Sequence, residues 1–161
     1  MKSEEIILAG GCFWGMEDIL RKLHGVLDTE VGYTGGESES PRYTEVKTGR
    51  SGHAEAILIR FDSQKLSLAT IFDLFFKMHD PTTKDRQGND IGSQYRSAIF
   101  VRDDHQRKEA MAALSRAQSS GLWVRPIVTE VVDAGTFFSA EAEHQDYLEK
   151  HPGGYSCHFI R

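Results

Sequence analysis

The most informative stretch of the chain reads Ile6-Ile7-Leu8-Ala9-Gly10-Gly11-Cys12-Phe13-Trp14-Gly15. Its apolar start predicts a short buried strand, and helical spacing of apolar residues after Cys12 predicts a helix. A thiol at such a helix start is stabilised as thiolate by the helix dipole, which lowers its pKa from about 8.5. A buried structural cysteine is the alternative. The glycines before the thiol and the two aromatic rings after it favour a nucleophile beside an apolar pocket.

Length and charge narrow the classes of protein. The chain has 161 residues and a net charge of −5, with acids and bases mixed along it. This length fits one domain, and the absence of a basic face predicts no nucleic-acid partner. No apolar run approaches the length of a membrane span, so we expect no membrane association. The acidic start, Met1 to Glu5, is unlike a signal peptide, and we expect a cytoplasmic protein.

The apolar pattern predicts the element order β-α-β-β-α-β-α-β-α. This order favours an α+β fold, a two-layer sandwich in which helices cover a mixed β-sheet. Ser67 is predicted to cap a helix that Pro81 ends, and residues 140–150 predict a last helix. Residues 1–161 are expected to form a single catalytic domain, of which residues 151–161 are an irregular, mobile tail rich in glycine.

Glu55 is the second candidate for chemistry. In the predicted strand from His53 to Phe61 it shares a face with Ile57 and Ile59. A carboxyl on an apolar face has a raised pKa, and a neutral carboxyl at pH 7 can act as a general acid. A glutamate turned to solvent at the strand end is the alternative, and this residue alone leaves both open.

Two long polar loops, residues 34–52 and 80–94, are of a length that is often functional. The glycine- and amide-rich run from Arg86 to Ser97 predicts either a polar wall of a site or a turn-rich connection. Two other functions stay open on these residues. His53 would serve Cys12 as the base of a cysteine hydrolase, or the pocket beside Cys12 would bind apolar side chains without turnover.

The two cysteines, Cys12 and Cys157, lie far apart in the sequence. A structural disulfide between them is disfavoured in a reducing compartment, whereas a transient catalytic one remains open. With His158 they form an incomplete zinc ligand set, because no histidine pair has metal-ligand spacing with the cysteines. We therefore expect no metal.

Three motifs together resemble the peptide methionine sulfoxide reductase A family. They are Gly11-Cys12-Phe13-Trp14-Gly15, Gly52-His53-Ala54-Glu55 and Gln87-Gly88-Asn89-Asp90-Ile91-Gly92-Ser93-Gln94-Tyr95-Arg96-Ser97. The resemblance extends over nearly the whole chain. It implies a sandwich with a ferredoxin-like core and an enzyme that reduces the S epimer of methionine sulfoxide, free or in proteins, as repair of oxidative damage.

The resemblance also implies a role for each matching residue. Cys12 is the nucleophile, and Phe13 and Trp14 hold the S-methyl group of the substrate. The groups around the sulfoxide oxygen are Glu55 as the acid, Tyr43 and Tyr95 as hydrogen-bond donors, and Asp90 as support for the polar wall.

Turnover in this family implies a second thiol. A sulfenic acid on Cys12 condenses with Cys157 to a disulfide that thioredoxin reduces, and no metal or bound organic cofactor takes part. We expect the chain to work as a monomer. It departs from many relatives in having Ser156 between Gly-Tyr and Cys157, and it carries no further distal cysteine, which predicts a single disulfide exposed directly to the reductant.

Overall fold

The computed structural model describes residues 1–161. The strands are β1 (Ser3–Gly10), β2 (Val26–Thr34), β3 (Ala54–Asp62), β4 (Arg86–Gln87), β5 (Asp90–Ile91), β6 (Ser97–Val101), β7 (Glu130–Asp133) and β8 (Phe138–Ser139). The α-helices are α1 (Phe13–Leu20), α2 (Tyr43–Val46), α3 (Leu68–Met78), α4 (Asp104–Ser119) and α5 (Tyr147–Lys150). Single 3₁₀ turns span Ser93–Tyr95 and Ala142–His144.

Six strands form one sheet in the order β7-β6-β1-β3-β2-β8, while β4 and β5 pair as a separate small hairpin. In the four central strands, β6-β1-β3-β2, each strand is antiparallel to its neighbours. Apart from the short elements between them, the main elements occur along the chain in the order β1, α1, β2, β3, α3 and β6. This is the βαββαβ arrangement of ferredoxin-like folds. The parallel pairing of β6 with β7 makes the sheet mixed, as the sequence predicts.

Alternation along the central strands separates two apolar clusters. Ile57, Ile59 and Phe61 of β3 face the main core beneath the helices, and Ala54, Ala56 and Leu58 face a smaller cluster on the opposite side. Glu55 lies two and four residues before Ile57 and Ile59, so its side chain points to the same face of the sheet as theirs. The helices cover that face, and β3 therefore directs Glu55 toward α1. None of the helices combines the length and the hydropathy that crossing a lipid bilayer requires.

Ser67 caps α3 as predicted. Its hydroxyl accepts a hydrogen bond of 3.1 Å from the Thr70 backbone N–H, which would otherwise lack a partner in the first helical turn. Asp103 caps α4 in the same way, because its carboxylate accepts a hydrogen bond of 2.8 Å from the Gln106 backbone N–H. These local signals fix where the two longest helices begin.

The predicted helix over residues 140–150 is wrong in one respect. It is split into a 3₁₀ turn and α5, because Asp146 adopts a left-handed backbone with φ 54°. The side chain of Gln145 explains the break. Its amide oxygen accepts from the Val31 N–H at 2.9 Å, and its NH₂ group donates to the carbonyl oxygens of Val31 at 2.8 Å and Ala140 at 3.1 Å. Gln145 thus replaces a backbone partner at the edge of β2.

We expect Gln145→Leu to lower the free energy of unfolding by about 1–3 kcal/mol, because it leaves the buried backbone N–H of Val31 without a partner. Chemical denaturation at neutral pH measures this loss. Gln64→Leu is the matched control, since Gln64 is exposed, and it should change stability by less than about 0.5 kcal/mol. Equal effects of the two substitutions would contradict the role of Gln145.

Candidate active site

Cys12 lies between the end of β1 and the start of α1. It is the N-cap residue of α1 and is only 7% exposed. Gly11 before it has a φ of +101°, and a Cβ there would lie 2.6 Å from the side chain of Gln87. The turn therefore requires glycine, both for its left-handed backbone and for the close approach of the 80–94 loop.

Glu55 is buried beside this turn. It is 1% exposed, and its Oε1 accepts a hydrogen bond of 3.2 Å from the Phe13 backbone N–H. Its second oxygen, Oε2, is buried with no hydrogen-bond partner. Burial raises the pKa of Glu55 to about 8, against the opposing effect of the Phe13 bond, and the negative charge of Asp90 raises it further. Glu55 is therefore mainly protonated at pH 7, and the solvent-facing alternative is wrong.

The expected lowering of the Cys12 pKa does not appear in the free protein. Burial raises the pKa of the Cys12 thiol well above its usual range, and the Glu55 carboxylate adds to the rise. The hydrogen bond from the Trp14 backbone N–H acts in the opposite direction but is weaker. A dry pocket disfavours two negative charges, so an ionised Cys12 requires a protonated Glu55.

Aromatic rings form a wall on the α1 side of the site. The Phe13 ring is fully buried, with ring centroids 5.7 Å from Tyr33 and 6.3 Å from Tyr43. Trp14 stacks on Tyr147 at 3.9 Å and faces Tyr43 at 6.2 Å. The structure thus brings Phe13, Trp14 and Tyr43 together, as the resemblance implies, and adds Tyr147 to them.

Glu141 and His144 hold this aromatic wall, and sequence reasoning missed both. The Glu141 carboxylate accepts from the Tyr33 hydroxyl at 2.8 Å and from the Tyr43 backbone N–H at 3.0 Å. His144 Nδ1 accepts from the Trp14 indole N–H at 3.1 Å. Both lie in the stretch that the sequence assigned to an ordinary helix. Their only signal was the presence of polar residues on a segment with little apolar periodicity.

The two long loops meet at the polar side of the site. Gln94 is 3% exposed, and its NH₂ group donates to the carbonyl oxygen of Lys47 at 2.8 Å, which ties the 34–52 loop to the 80–94 loop. Burial raises the pKa of Tyr43 to about 12 and raises that of Tyr95 as well, and the Glu55 charge adds to both shifts. Both hydroxyls therefore stay protonated and can donate hydrogen bonds.

Asp90 links this polar side to the carboxyl-terminal tail. Its Oδ2 accepts from the Tyr155 hydroxyl at 3.2 Å and lies 3.8 Å from Cys157 Sγ. Tyr155 was not singled out in the sequence. Asp90 thus contacts the segment that carries the second thiol, in addition to its place near Glu55.

The carboxyl-terminal tail packs against glycines on either side of Cys12. A Cβ on Gly15 would lie 2.3 Å from the His158 ring and 2.7 Å from Ser156 Oγ. His158 Nε2 is 2.7 Å from the Gly10 carbonyl oxygen. Ser156 and His158 flank Cys157, so both neighbours of the second thiol pack against the element that begins at Cys12. Both cysteines are free in this structure.

His53 does not serve Cys12 as a base. Its Nδ1 accepts from the Gly36 N–H at 3.0 Å, and its Nε2 lies 2.7 Å from the Ser38 carbonyl oxygen, so both ring nitrogens are used within the 34–52 loop. The cysteine-hydrolase arrangement therefore lacks its base. The one group of His, Cys, Asp and Glu whose ligand atoms lie within 4.8 Å of one another is Glu141, Glu143 and His144, not the set around Cys12.

Comparison with known proteins agrees with this geometry. A family model described as peptide methionine sulfoxide reductase matches residues 4–161. Peptide methionine sulfoxide reductase MsrA of Mycobacterium sp. (strain MCS) is 52% identical over 158 residues, which are 98% of this chain and 90% of that protein. The chain belongs to the peptide methionine sulfoxide reductase family. It is an oxidoreductase that reduces methionine sulfoxide, and the hydrolase and binding-module hypotheses are not retained.

Solved structures of this reductase family share the fold. Mxr1 from Saccharomyces cerevisiae in reduced form superposes with a TM-score of 0.93 at 38% identity, over 99% of this chain and 93% of that one. Mxr1 in complex with Trx2 superposes with a TM-score of 0.68 at 28% identity, over 99% and 91%. The predicted family and the α+β sandwich are thereby confirmed.

Glu55→Gln is expected to make stability less dependent on pH. Because the pKa of Glu55 is about 8 in the folded chain and near 4.5 when unperturbed, the unfolded chain releases a proton that the folded chain keeps between these values. Wild-type stability therefore falls as pH rises through this interval, by up to about 1.4 kcal/mol per pH unit, and the amide removes this loss.

Denaturation of both proteins between pH 4.5 and 9 measures the difference. The stability of Glu55→Gln relative to wild type should rise with pH and level off above about pH 8. Glu45→Gln, at an exposed position, is the control and should run parallel to wild type. A Glu55→Gln profile that also runs parallel to wild type would refute the buried neutral carboxyl.

Proposed function

We propose that this reductase acts on the S epimer of methionine sulfoxide, through a Cys12 sulfenic acid that Cys157 resolves as a disulfide and that thioredoxin recycles. The observation that carries this proposal is the unpartnered Oε2 of Glu55, a buried acid oxygen at the Cys12 turn. A neutral carboxyl without a partner in a dry pocket is suited to donate a hydrogen bond to a polar oxygen of a bound substrate.

Selection of one epimer follows from three fixed contacts in the proposed complex. The methyl group lies against Phe13 and Trp14, the sulfoxide oxygen accepts from Glu55 with Tyr43 and Tyr95, and the sulfur faces Cys12. Sulfoxide sulfur is pyramidal, so exchanging methyl and oxygen would bury the polar oxygen against the rings without a partner. Such an unpaired buried acceptor costs about 1–3 kcal/mol, which supports discrimination between epimers.

The first step consumes one thiol and yields methionine. The Cys12 thiolate attacks the sulfoxide sulfur while Glu55 protonates the oxygen, which gives a transient bond between the two sulfur atoms. The hydroxyl then moves to Cys12 Sγ: its old S–O bond and the transient S–S bond break, a new S–O bond forms the Cys12 sulfenic acid, and methionine leaves. The sulfoxide sulfur gains two electrons and the Cys12 sulfur loses them. The thiol proton returns to Glu55, so the acid is regenerated. Asp90 supports this step by keeping the Glu55 proton in place, because its charge opposes ionisation of Glu55.

The second step forms the disulfide between Cys12 and Cys157, which a dithiol protein then reduces by exchange. In this proposal a local movement of Cys157 within the tail, residues 151–161, of the single catalytic domain brings its thiol onto Cys12, while His158 keeps its contact with the Cys12 turn. The match to Mxr1 in complex with Trx2 supports thioredoxin as the reductant. Two free cysteines fit a reducing compartment, so we place the enzyme in the cytoplasm. Because every group in the proposed reaction lies in one chain, we expect the enzyme to work as a monomer.

A single-turnover assay tests the proposed reaction. Reduced protein is mixed with separated S and R epimers of a blocked methionine sulfoxide, and methionine and remaining thiols are counted. We expect about one methionine per chain from the S epimer only, with loss of two thiols. Turnover of the R epimer, or methionine without thiol loss, would contradict the proposal.

Substitution of Cys12 and substitution of Cys157 should block different steps of the reaction. Cys12→Ser should form no methionine, whereas Cys157→Ser should form about one per chain and then stop with thioredoxin as the reductant. Steady-state assays with thioredoxin, preceded by quantification of the first turnover, measure both. A Cys157→Ser enzyme that cycles at the wild-type rate would show that Cys157 does not resolve the sulfenic acid.

A further inference from the structure

We propose that His158 is a further catalytic residue, the base that takes the proton from the Cys157 thiol as the disulfide forms. This inference rests on the proposed function, because it assigns a group to the second step of that reaction. It starts from His158, a side chain that contacts both the Cys12 turn and the second thiol.

The tautomer of His158 follows from its partners. Nε2 is 2.7 Å from the Gly10 carbonyl oxygen, which can only accept, so Nε2 carries the ring proton. In a neutral ring Nδ1 then has a free lone pair. Nδ1 lies 4.0 Å from Cys157 Sγ, and the thiol is a proton donor. The lone pair is therefore available at the atom that must lose its proton.

The ring is held in place from several sides. His158 is 9% exposed, and its backbone N–H donates to Ser156 Oγ at 3.2 Å. Gly15 of α1 leaves the space that the ring fills, since a Cβ there would lie 2.3 Å from Nδ1. The position of Nδ1 thus depends on the fold of the Cys12 turn rather than on the conformation of the tail alone.

Burial and the neighbouring charges favour the neutral form of His158, which can accept a proton. Burial lowers the pKa of His158 and the nearby Arg161 cation lowers it further, while the Gly10 bond and the Asp90 charge act against them. His79, on the other side of Gly10, has a pKa lowered to about 3 by burial and is neutral. Burial and the Asp90 charge raise the pKa of Cys157, so this thiol does not ionise unaided at pH 7.

The step balances without a further reactant. Cys157 Sγ attacks the sulfenic sulfur of Cys12 as its proton moves to His158 Nδ1. The S–S bond forms, the S–O bond breaks, and the departing hydroxide takes the proton from the imidazolium and leaves as water. The Cys12 sulfur is reduced, the Cys157 sulfur is oxidised, and His158 returns to its neutral form.

Asp90 is the competing acceptor, because its Oδ2 lies 3.8 Å from the same sulfur. That oxygen already accepts from the Tyr155 hydroxyl at 3.2 Å, and a carboxylate is intrinsically a weaker base than an imidazole. Asp90 Oδ2 is the nearer atom, but the free lone pair and greater basicity of the imidazole favour His158 for proton transfer and leave Asp90 to hold the tail.

His158→Gln tests the assignment, because its amide NH₂ can still donate to the Gly10 oxygen while no basic nitrogen faces Cys157. Reduced protein is mixed with one equivalent of the S epimer between pH 6.5 and 9, and methionine and disulfide are followed separately. His24→Gln, at an exposed position, is the matched control, and Asp90→Asn examines the competing base.

We expect His158→Gln to form methionine at the wild-type rate and the disulfide about 100-fold more slowly at pH 7. Its disulfide rate should climb about tenfold per pH unit as Cys157 ionises unaided, whereas wild type and His24→Gln should change little above pH 7. Wild-type disulfide kinetics in His158→Gln, an equal slowing of both steps, or this pH profile in Asp90→Asn alone would overturn the inference. Failure of wild type to form methionine would instead refute the proposed function.

Discussion

The hydrogen bond from the Phe13 backbone N–H to Glu55 Oε1 is the contact on which the site depends. It joins Phe13, the first residue of α1, to Glu55, the second residue of β3, and these two residues are 42 positions apart in the chain. It also uses one of the N–H groups that a helix start leaves without an internal partner. This one bond therefore gives the Phe13 N–H a partner, orients the Glu55 carboxyl, and leaves the other carboxyl oxygen free beside Cys12.

Close approach of the backbone at Gly11 and Gly15 is the second requirement. These glycines admit the 80–94 loop on one side and the tail on the other, so residues from opposite ends of the chain surround one thiol. Gln87, Ser156 and His158 pack against the Cys12 turn and α1 only because no Cβ stands in their way. The glycines are needed for what packs against them as much as for the turn itself.

Local patterns predicted most of what is local. The Cys12 turn and the cap at Ser67 follow from a few neighbouring residues, and the ferredoxin-like core came from the family resemblance. The pattern of β3 left open whether Glu55 is buried, and the structure shows that it is. The break at Asp146 could not be predicted, because it depends on Gln145 bonding to β2, more than 100 residues away. The partners of the aromatic wall and the raised pKa of Cys12 likewise arise from long-range packing that no local pattern contains.

The structure favours the neutral forms of both Cys12 and Glu55, and this explains how the thiol stays unreactive until substrate binds. Cys12 and Glu55 both keep their protons at pH 7, because burial opposes either charge and the charge of Asp90 opposes both. In the proposed reaction a sulfoxide oxygen that accepts from Glu55 draws that proton toward itself, and the sulfoxide sulfur then gains the electrophilic character that a thiolate attacks. In the proposed reaction charge would therefore develop on Cys12 and on the sulfoxide together, beside the protonated hydroxyls of Tyr43 and Tyr95, rather than on a thiolate exposed beforehand to other oxidants.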